Sequence, residues 1–317
     1  MPPEFAVSIR PMKDLIVIQE EVADTLAAGG AVVALESTVI AHGLPFPDNE
    51  ETARAMEGAV RTSGAVPATI AVLDGKVRIG LSDSQRSALA DPNADVAKLS
   101  RRDIAACIQS GGIGATTVSA TMICAHAAGI RCFATGGIGG VHRGAEVTMD
   151  VSADLLELAR TPVLTVASGA KSILDLPKTR EFLETQGVPV LGYRTDRMPA
   201  FHCRDSGLRV DCRIDTAITA AEVARTHWHL GLGGLLVCNP VPETDAIDGQ
   251  EMENWIEQAT KSAFDAGIHG GAVTPHILSR IADLSGGRSL TANKALLIDN
   301  ARLGGEIALA LSKGMKP

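Results

Sequence analysis

The sequence predicts an α/β protein in which helices cover both faces of a mixed β-sheet. Short, continuous apolar runs at 31–35 and 163–167 are typical of strands buried on both faces. Stretches with helical spacing alternate with such runs along the chain. Asp74-Gly75 separates the strand signals 69–73 and 76–81, and both turn residues tolerate positive φ. This hairpin requires an antiparallel pair, so the sheet is not purely parallel.

The first half of the chain shows several helix signals. Ile18, Val22 and Leu26 lie four residues apart and predict a helix over 16–28, which Gly29-Gly30 ends. A capping residue followed three positions later by a polar partner predicts helix starts at Asp48 with Glu51, Ser82 with Gln85, and Ser100 with Asp103. A further helix over 117–128 is followed by a strand over 131–135 and a glycine-rich loop.

The second half continues the alternation of helices and strands. Ser152 is placed to cap a helix that runs to about Arg160. After the strand 163–167, a Ser-Gly turn leads into a helix that begins near Lys171. The remaining segments are predicted as strands over 188–193 and 234–238 and helices over 251–266 and 291–312. No linker divides these elements, so we expect one catalytic domain over 1–317, with 1–13 as a short N-terminal extension.

Composition excludes several classes of protein. Of the 317 residues, 45% are hydrophobic and 21% are charged, as in globular proteins, and the low aromatic content of 3% requires an aliphatic core. The net charge of −8 argues against a nucleic-acid partner. There is no signal peptide and no apolar run long enough for a membrane span. Six scattered cysteines without a C-x-x-C pair predict a reduced, cytoplasmic protein.

Two residues that follow apolar strands could carry chemistry. Lys171 follows a strand and a Ser-Gly turn, where active-site groups of α/β enzymes gather. A buried lysine amine can attack a carbonyl, although Lys171 could instead expose its ammonium group in the first turn of a helix. Glu36 ends the run 31–35 and could be a general acid or an exposed charge at a strand end.

Other polar residues are candidates for binding metal or phosphate. Asp150 and Asp154 flank Ser152, and carboxylates suit Mg²⁺ or Mn²⁺. Helix capping explains Ser152 and Asp154 equally well, whereas Asp150 lies too early to cap the same helix. Lys98 lies beside Arg101 and Arg102 near a predicted helix start, a plausible anion site, although a solvated charge run explains the two arginines. The histidines lack zinc-ligand spacing, and the glycine-rich loop lacks the dinucleotide pattern.

A series of motifs resembles the pseudouridine-5'-phosphate glycosidase, or indigoidine synthase A-like, family. They occur in order along almost the whole chain and are therefore far more specific than a single glycine loop. The motifs are ALESTVIAHGLPFP at 34–47, KLSRRD at 98–103, GATTVSATM at 114–122, FATGGIGGVHRGAE at 133–146, DVSADL at 150–155, ASGAKSILDLPKT at 167–179, PAF at 199–201, NPVPE at 239–243 and SLTAN at 289–293.

The resemblance implies a three-layer α/β/α sandwich with a central mixed β-sheet, assembled as a homotrimer. It implies reversible cleavage of pseudouridine 5'-phosphate to uracil and ribose 5-phosphate, with one Mn²⁺ per subunit. By that resemblance Lys171 is the Schiff-base lysine, Glu36 the proton donor and Asp150 the metal ligand. The implied substrate contacts are Lys98, Val118, Ser152, Ala153, Asp154, His142 near the base, and Asn293 at the uracil.

One region departs from the family pattern, which has G-K-E before x-T-P-F-L-L. Here the Lys and Glu are replaced by Gly271 and Ala272, and His276 replaces the Phe. We therefore expect altered packing there, in the substrate pocket or at a subunit contact. Two other functions remain open: another Schiff-base enzyme acting on a phosphosugar, such as an aldolase, and a non-catalytic phosphosugar-binding protein. A role linked to indigoidine pigment is a further alternative.

Overall fold

The computed structural model describes residues 12–268 and 273–314. Within these ranges, eleven strands form one sheet. They are β1 (Ile16–Ile18), β2 (Val32–Leu35), β3 (Val66–Leu73), β4 (Lys76–Ile79), β5 (Ala97–Leu99), β6 (Gly114–Thr116), β7 (Cys132–Ala134), β8 (Leu164–Ala167), β9 (Val190–Tyr193), β10 (Cys212–Ile214) and β11 (Leu235–Cys238). The order is β1-β4-β3-β2-β7-β8-β11-β9-β10, with β6 paired to β3 and β5 paired to β6.

The sheet is mixed, as predicted. Strand β3 is antiparallel to β4 and to β6, whereas the other pairs are parallel. The β3–β4 hairpin turns at Asp74 and Gly75, whose φ values of 52° and 69° lie in the left-handed region. The turn that the sequence predicted is therefore confirmed.

Helices cover both faces of the sheet, which confirms the three-layer α/β/α fold. They are α1 (Glu20–Ala27), α2 (Asp48–Thr62), α3 (Asp83–Ala90), α4 (Ile104–Ser110), α5 (Val118–Ala127), α6 (Ala145–Thr148), α7 (Ala153–Arg160), α8 (Leu176–Thr185), α9 (Ala217–His229), α10 (Gly249–Asp265), α11 (Val273–Leu284) and α12 (Arg288–Lys313). Short 3₁₀ turns occur at Met12–Leu15 and Glu243–Asp245, and a π-helical turn occurs at Val39–Gly43. Helix α12 packs on β2, β7 and β8 and is flanked by α2 and α9, whereas α5 packs with α7.

The core is aliphatic, as the composition requires. Strands β2, β8, β9 and β11 are buried along their whole length. Helix α12 approaches this core closely because Gly304 leaves room for Ala134, whose Cβ would lie 3.0 Å from a Cβ at that position. All six cysteines are unpaired, and burial raises the pKa of Cys124, Cys132 and Cys238 to about 12, so these thiols remain protonated.

Three predicted helix starts are wrong. The segment after Ser100 is a turn, and α4 begins only after Asp103. Residues 16–18 form strand β1 instead of a first helical turn, because Ile16 and Ile18 pair with Val77 and Ile79 of β4. Lys171 is not in a helix, since α8 begins only at Leu176 after Asp175 caps its N-terminus. The capping box of Ser82 and Gln85 is confirmed at the start of α3. The predicted N-terminal extension lies almost wholly outside the described residues.

Candidate active site

A cavity of about 240 Å³ opens where several strands of the sheet end. Glu36 directly follows β2, Gly136 follows β7 by one residue, and Lys171 lies on the loop after β8. These strands are adjacent and parallel, so their carboxyl ends meet at one edge, where α/β proteins place ligands. The lining comprises Glu36, Thr38, Val39, His42, Gly43, Lys98, Gly136, Gly137, Lys171, Phe201, Leu278, Asn293 and Leu297.

Glu36 is a strong candidate for a general acid. Its partly buried carboxyl accepts a short hydrogen bond from the hydroxyl of Thr135, which is itself fully buried. Burial raises the pKa of Glu36, and the positive charges of Lys171 and Lys98 offset only part of that rise. A carboxyl that keeps its proton at higher pH can donate it to a substrate.

Lys171 lies beside Glu36 on a rigid loop. Its side chain is partly buried and lines the cavity. Its backbone N–H donates to the carbonyl of Ile138, 3.1 Å away. Gly169 has a φ of 76°, and a Cβ there would lie 2.0 Å from the carbonyl oxygen of Pro199. The loop therefore needs glycine at this position to place Lys171 in the cavity that Glu36 also lines.

Lys98 reaches the cavity from β5, not from a helix start as the sequence suggested. The strand pairs with β6, where Lys98 is in register with Ala115. Burial lowers the pKa of Lys98, and the nearby charge of Lys171 lowers it further. Two lysines thus share one small cavity, an arrangement that suits an anionic substrate.

Val118, the first residue of α5, lies apart from this lining. It is buried, with 3% of its surface exposed, and it is absent from the cavity wall. Its backbone is the part that the N-terminus of α5 could offer to an anion, because N–H groups of a first helical turn have no partner within the helix.

The segment Ser152, Ala153 and Asp154 mainly fixes the framework around the cavity. Ser152 caps α7, with its hydroxyl accepting from the N–H of Asp154 at 3.3 Å. The buried Asp154 carboxylate accepts from the N–H of Ser119 at 3.0 Å and of Gly139 at 2.8 Å. It thereby ties the start of α5 to the glycine-rich loop, and its charge is close enough to affect Glu36 and Lys98.

Gly139→Ala should destabilise the protein by about 1–3 kcal/mol, because a buried methyl group would overfill the site. A Cβ there would lie 2.2 Å from the hydroxyl of Ser152 and 2.8 Å from the Asp154 carboxylate. Gly58→Ala in α2, where nothing lies within 4 Å of the added Cβ, should instead stabilise by about 0.4–1 kcal/mol. Urea unfolding of both variants measures the difference. Equal stabilities would contradict the packing described here.

His142 and Asp150 lie together, but outside the cavity lining. The N–H of His142 donates to the carbonyl of Asp150 at 3.0 Å, and Nδ1 lies 3.8 Å from the Asp150 carboxylate. That carboxylate is 59% exposed. In residues 12–268 and 273–314, no cluster of three or more His, Cys, Asp or Glu side chains could hold a metal ion. Asp150 therefore fits a cation held by one carboxylate and water, not an all-protein cage.

The arginines near Lys98 do not form an anion site. Arg101 makes a two-point ion pair with Glu157, with Nε 2.6 Å from one carboxylate oxygen and Nη2 3.0 Å from the other. Glu157 is 1% exposed, so Arg101 compensates a buried charge. Arg102 is 90% exposed and contacts Asp103 only at 3.4 Å. Among these basic residues, Lys98 alone lines the cavity.

A buried polar network forms the floor beneath the cavity. The side-chain amide of Asn300 on α12 donates to the carbonyl of Thr135 at 2.8 Å and to the hydroxyl of Ser168 at 3.1 Å. Its oxygen accepts from the amide of Asn239 at 3.0 Å. These partners follow β7, β8 and β11, so one fully buried amide joins three strand ends to α12. The same helix carries Asn293, which lines the cavity as the motif suggested.

Several residues in or around the cavity had no distinct sequence signal of their own. Thr135 and His42 lie in recognised motifs, but their roles depend on contacts between distant segments. Phe201 has a φ of 61°, unusual for a bulky residue, and its ring packs where a Cβ at Gly137 would lie only 2.5 Å away. The glycine at 137 thus makes room for this ring. In the sequence, only the two motifs that contain Gly137 and Phe201, taken together, could have suggested this contact.

The departure from the family pattern is described only in part. Gly271 and Ala272 lie outside the described residues. His276 lies on α11, and its Nε2 is 3.3 Å from the hydroxyl of Ser262 on α10, so it contributes to the contact between these helices. Leu278 of the same helix lines the cavity.

Within the part of the chain that the structure describes, no helix is both long and apolar enough to cross a bilayer.

Two curated relatives cover nearly the whole chain. A protein from Caldanaerobacter subterraneus subsp. tengcongensis, named pseudouridine-5'-phosphate glycosidase, is 53% identical over 303 residues, covering 95% of this chain and 98% of the relative. One of the same name from Methylobacterium nodulans is 57% identical and covers 92% of this chain and 86% of the relative.

Solved structures show the same fold. The prealnumycin C-glycosynthase AlnA, in complex with ribulose 5-phosphate, is 44% identical with a TM-score of 0.88, covering 95% of this chain and 98% of that one. An indigoidine synthase A-like protein from Thermotoga maritima is 37% identical with a TM-score of 0.85, covering 94% and 97%. The sequence profile of indigoidine synthase A-like proteins matches residues 21–310. This chain therefore belongs to the indigoidine synthase A-like family.

Proposed function

We propose that this protein is an enzyme that reversibly cleaves the carbon–carbon glycosidic bond of pseudouridine 5'-phosphate, giving uracil and ribose 5-phosphate. The observation that carries the proposal is that one cavity is lined by both Lys171 and Glu36, that burial raises the pKa of Glu36, and that the charge of Lys171 acts on this carboxyl. The names of the curated relatives support this substrate. The ribulose 5-phosphate bound to the structural neighbour supports a phosphosugar ligand.

A lysine solves a specific chemical problem in this reaction. Common glycosidases use two carboxyl groups, one of which protonates the leaving heteroatom. In a C-glycoside the leaving atom is carbon C5 of uracil, which has no lone pair to protonate. Covalent catalysis by an amine divides this difficult step into easier ones.

In the proposed reaction, Glu36 donates its proton to the ribose ring oxygen as the bond from that oxygen to C1' breaks. The Lys171 amine bonds to C1' and passes a proton to the Glu36 carboxylate. C5 of uracil then takes up this proton from Glu36, and the electron pair of the C1'–C5 bond passes to the uracil ring as uracil leaves. The nitrogen lone pair of Lys171 forms the iminium at C1' that water hydrolyses to ribose 5-phosphate. One water is consumed, and both side chains return to their starting states.

The charges around the cavity suit the phosphate end of this substrate. Lys98 supplies a positive charge in the same cavity as Lys171. Val118 lies outside the cavity lining, and the backbone of the first turn of α5 is proposed to extend the site for the phosphate. Asn293, which also lines the cavity, offers an amide to the base. In this proposal Asp154 and Ser152 act by positioning the glycine-rich loop and α5 around the phosphosugar. His142 would act near Asp150 at the edge of the site.

Manganese would be held by the Asp150 carboxylate together with water. When bound, the ion would supply positive charge that orients water and substrate. Asp150→Asn should weaken Mn²⁺ binding on the order of tenfold or more, since the amide removes the charged ligand. Electron paramagnetic resonance of free Mn²⁺ during titration measures this directly. Unchanged binding by the variant would exclude Asp150 as the ligand.

The protein is further proposed to act as a homotrimer. Val147 and Met149, close to Asp150, are 85% and 81% exposed in a single chain. Exposed apolar side chains of this kind are typical of subunit interfaces. Sedimentation equilibrium would give the mass of the assembly, and a monomer at all concentrations would contradict the proposal.

A substrate panel tests the proposed activity. We expect release of uracil from pseudouridine 5'-phosphate, and formation of the same compound when uracil and ribose 5-phosphate are supplied together. Uridine 5'-phosphate, an N-glycoside, should be a much poorer substrate. Tight binding of ribose 5-phosphate with no turnover would instead favour a binding protein, and cleavage of a phosphosugar without uracil would favour an aldolase.

A further inference from the structure

His42 lies in the cavity but has no role in the reaction proposed above. It belongs to the π-helical turn Val39–Gly43, which begins three residues after Glu36. Its side chain lines the cavity together with Lys98. The positive charge of Lys98 acts on its ring. His42 therefore lies in the same cavity as Glu36 and the two lysines, where the proposed substrate binds.

One ring nitrogen of His42 already makes a hydrogen bond within the protein. Nε2 lies 2.9 Å from the backbone carbonyl oxygen of Val96. A carbonyl oxygen only accepts hydrogen bonds, so Nε2 must carry the hydrogen. In a neutral imidazole the other nitrogen, Nδ1, then has a free lone pair. Among the residues described, none makes a hydrogen bond to Nδ1.

The surroundings of His42 keep its ring neutral. Burial lowers the pKa of His42, the hydrogen bond to Val96 opposes this effect, and the charge of Lys98 lowers the pKa further. Near neutral pH, Nδ1 is therefore an acceptor.

Besides His42, the side chains of this cavity include two lysines that act as donors, and Thr38 and Asn293, which can both donate and accept. Lys98 and Lys171 present ammonium or amine groups, and the Glu36 carboxyl already accepts from Thr135. The proposed substrate carries neutral donors of its own, namely the ring N–H groups of uracil and the hydroxyl groups of ribose. A neutral donor placed in a cavity of this kind needs a neutral acceptor, since an unpaired buried polar group is costly.

We propose that Nδ1 of His42 binds the substrate by accepting a hydrogen bond from one of these neutral donors. This assignment rests on the proposed function. A purely structural role is the competing explanation, because Val96 immediately precedes the strand that carries Lys98, and His42 could serve only to hold that strand.

Two substitutions separate these roles. His42→Gln places an amide near the position of Nε2, so it can keep the contact with Val96 while removing the acceptor at Nδ1. His42→Asn does the reverse, since its shorter side chain offers an acceptor near Nδ1 and gives up Val96. We expect His42→Gln to lower kcat/KM by about tenfold, as for the loss of one hydrogen bond to the substrate. His42→Asn should retain most of the activity. Thermal melts confirm folding.

The donor can be identified from ribose 5-phosphate alone. Borohydride should trap this sugar on Lys171 without uracil. If His42→Gln traps it normally but needs more uracil for synthesis, the donor is on the base; reduced trapping places it on the sugar. The assignment is overturned if His42→Gln keeps wild-type efficiency, or if His42→Asn loses as much. Absence of uracil release by the wild-type protein would contradict the proposed function itself, separately from His42.

Discussion

Lys171→Ala should reduce uracil release to background, a loss on the order of 10⁴-fold or more. The variant lacks the amine that forms the covalent intermediate. The fold should persist, since the loop is held by Gly169 and by the bond from the Lys171 N–H to Ile138, neither of which needs the side chain. Initial rates of uracil release and circular dichroism provide the two measurements. Retention of a large part of the activity would refute covalent catalysis by this residue.

A matched control is available seven residues further along the chain. Lys178 forms surface ion pairs with Glu146 at 2.7 Å and Asp175 at 2.9 Å and does not line the cavity. Lys178→Ala should therefore leave turnover unchanged and change stability little, because exposed ion pairs are screened by solvent. Borohydride reduction with ribose 5-phosphate should add one pentose phosphate to the wild type and to Lys178→Ala, but none to Lys171→Ala. A mass spectrum of the intact protein gives the result.

Glu36→Gln should lower kcat by about 10²–10⁴-fold, the usual contribution of a general acid, while the substrate is still bound. The wild-type rate should fall as pH rises through the raised pKa of Glu36, since the acid loses its proton there. In the variant this limb of the pH profile should be absent. A wild-type profile without any fall in rate on its alkaline side, or equal rates for the two proteins, would remove Glu36 from the role of proton donor.

The same substitution, Glu36→Gln, should change the stability of the protein relative to wild type in a pH-dependent way. The pKa of Glu36 is raised in the folded state, so the folded protein holds this proton more tightly than the unfolded chain. Its stabilising effect is complete below the ordinary pKa of the group and is lost as pH rises through the folded pKa. The melting temperature of Glu36→Gln relative to wild type should therefore rise over that window and then level off.

Local sequence signals located the two catalytic candidates, because each directly follows a continuous apolar strand. Glu36 follows β2 and Lys171 follows the β8 turn, and the carboxyl ends of neighbouring parallel strands meet at one edge of a sheet. The β3–β4 hairpin could also be predicted, because its signal is the adjacent turn residues Asp74 and Gly75. The resemblance added Lys98 and Asn293 as substrate contacts, and both line the same cavity.

Features that depend on pairing between distant segments could not be read from the sequence. Strand β5 has only three residues, so nothing local distinguished Lys98 on a strand from Lys98 beside a helix. Ile16–Ile18 fits a helical pattern, but its pairing with β4 prevails over that preference. Asp154 was indistinguishable from an ordinary capping residue, yet its carboxylate bonds to the N–H groups of two other segments.

The Asn300 network has a consequence for how activity appears during refolding. Its amide joins a carbonyl 165 positions earlier in the chain, and Lys294 on the same helix pairs with Asp48, 246 positions away. Contacts of such long sequence separation form late, because closing the loop between the two residues costs conformational entropy before the contact stabilises the fold. Catalysis should therefore return only with the slowest phase of renaturation, well after most helical dichroism has recovered.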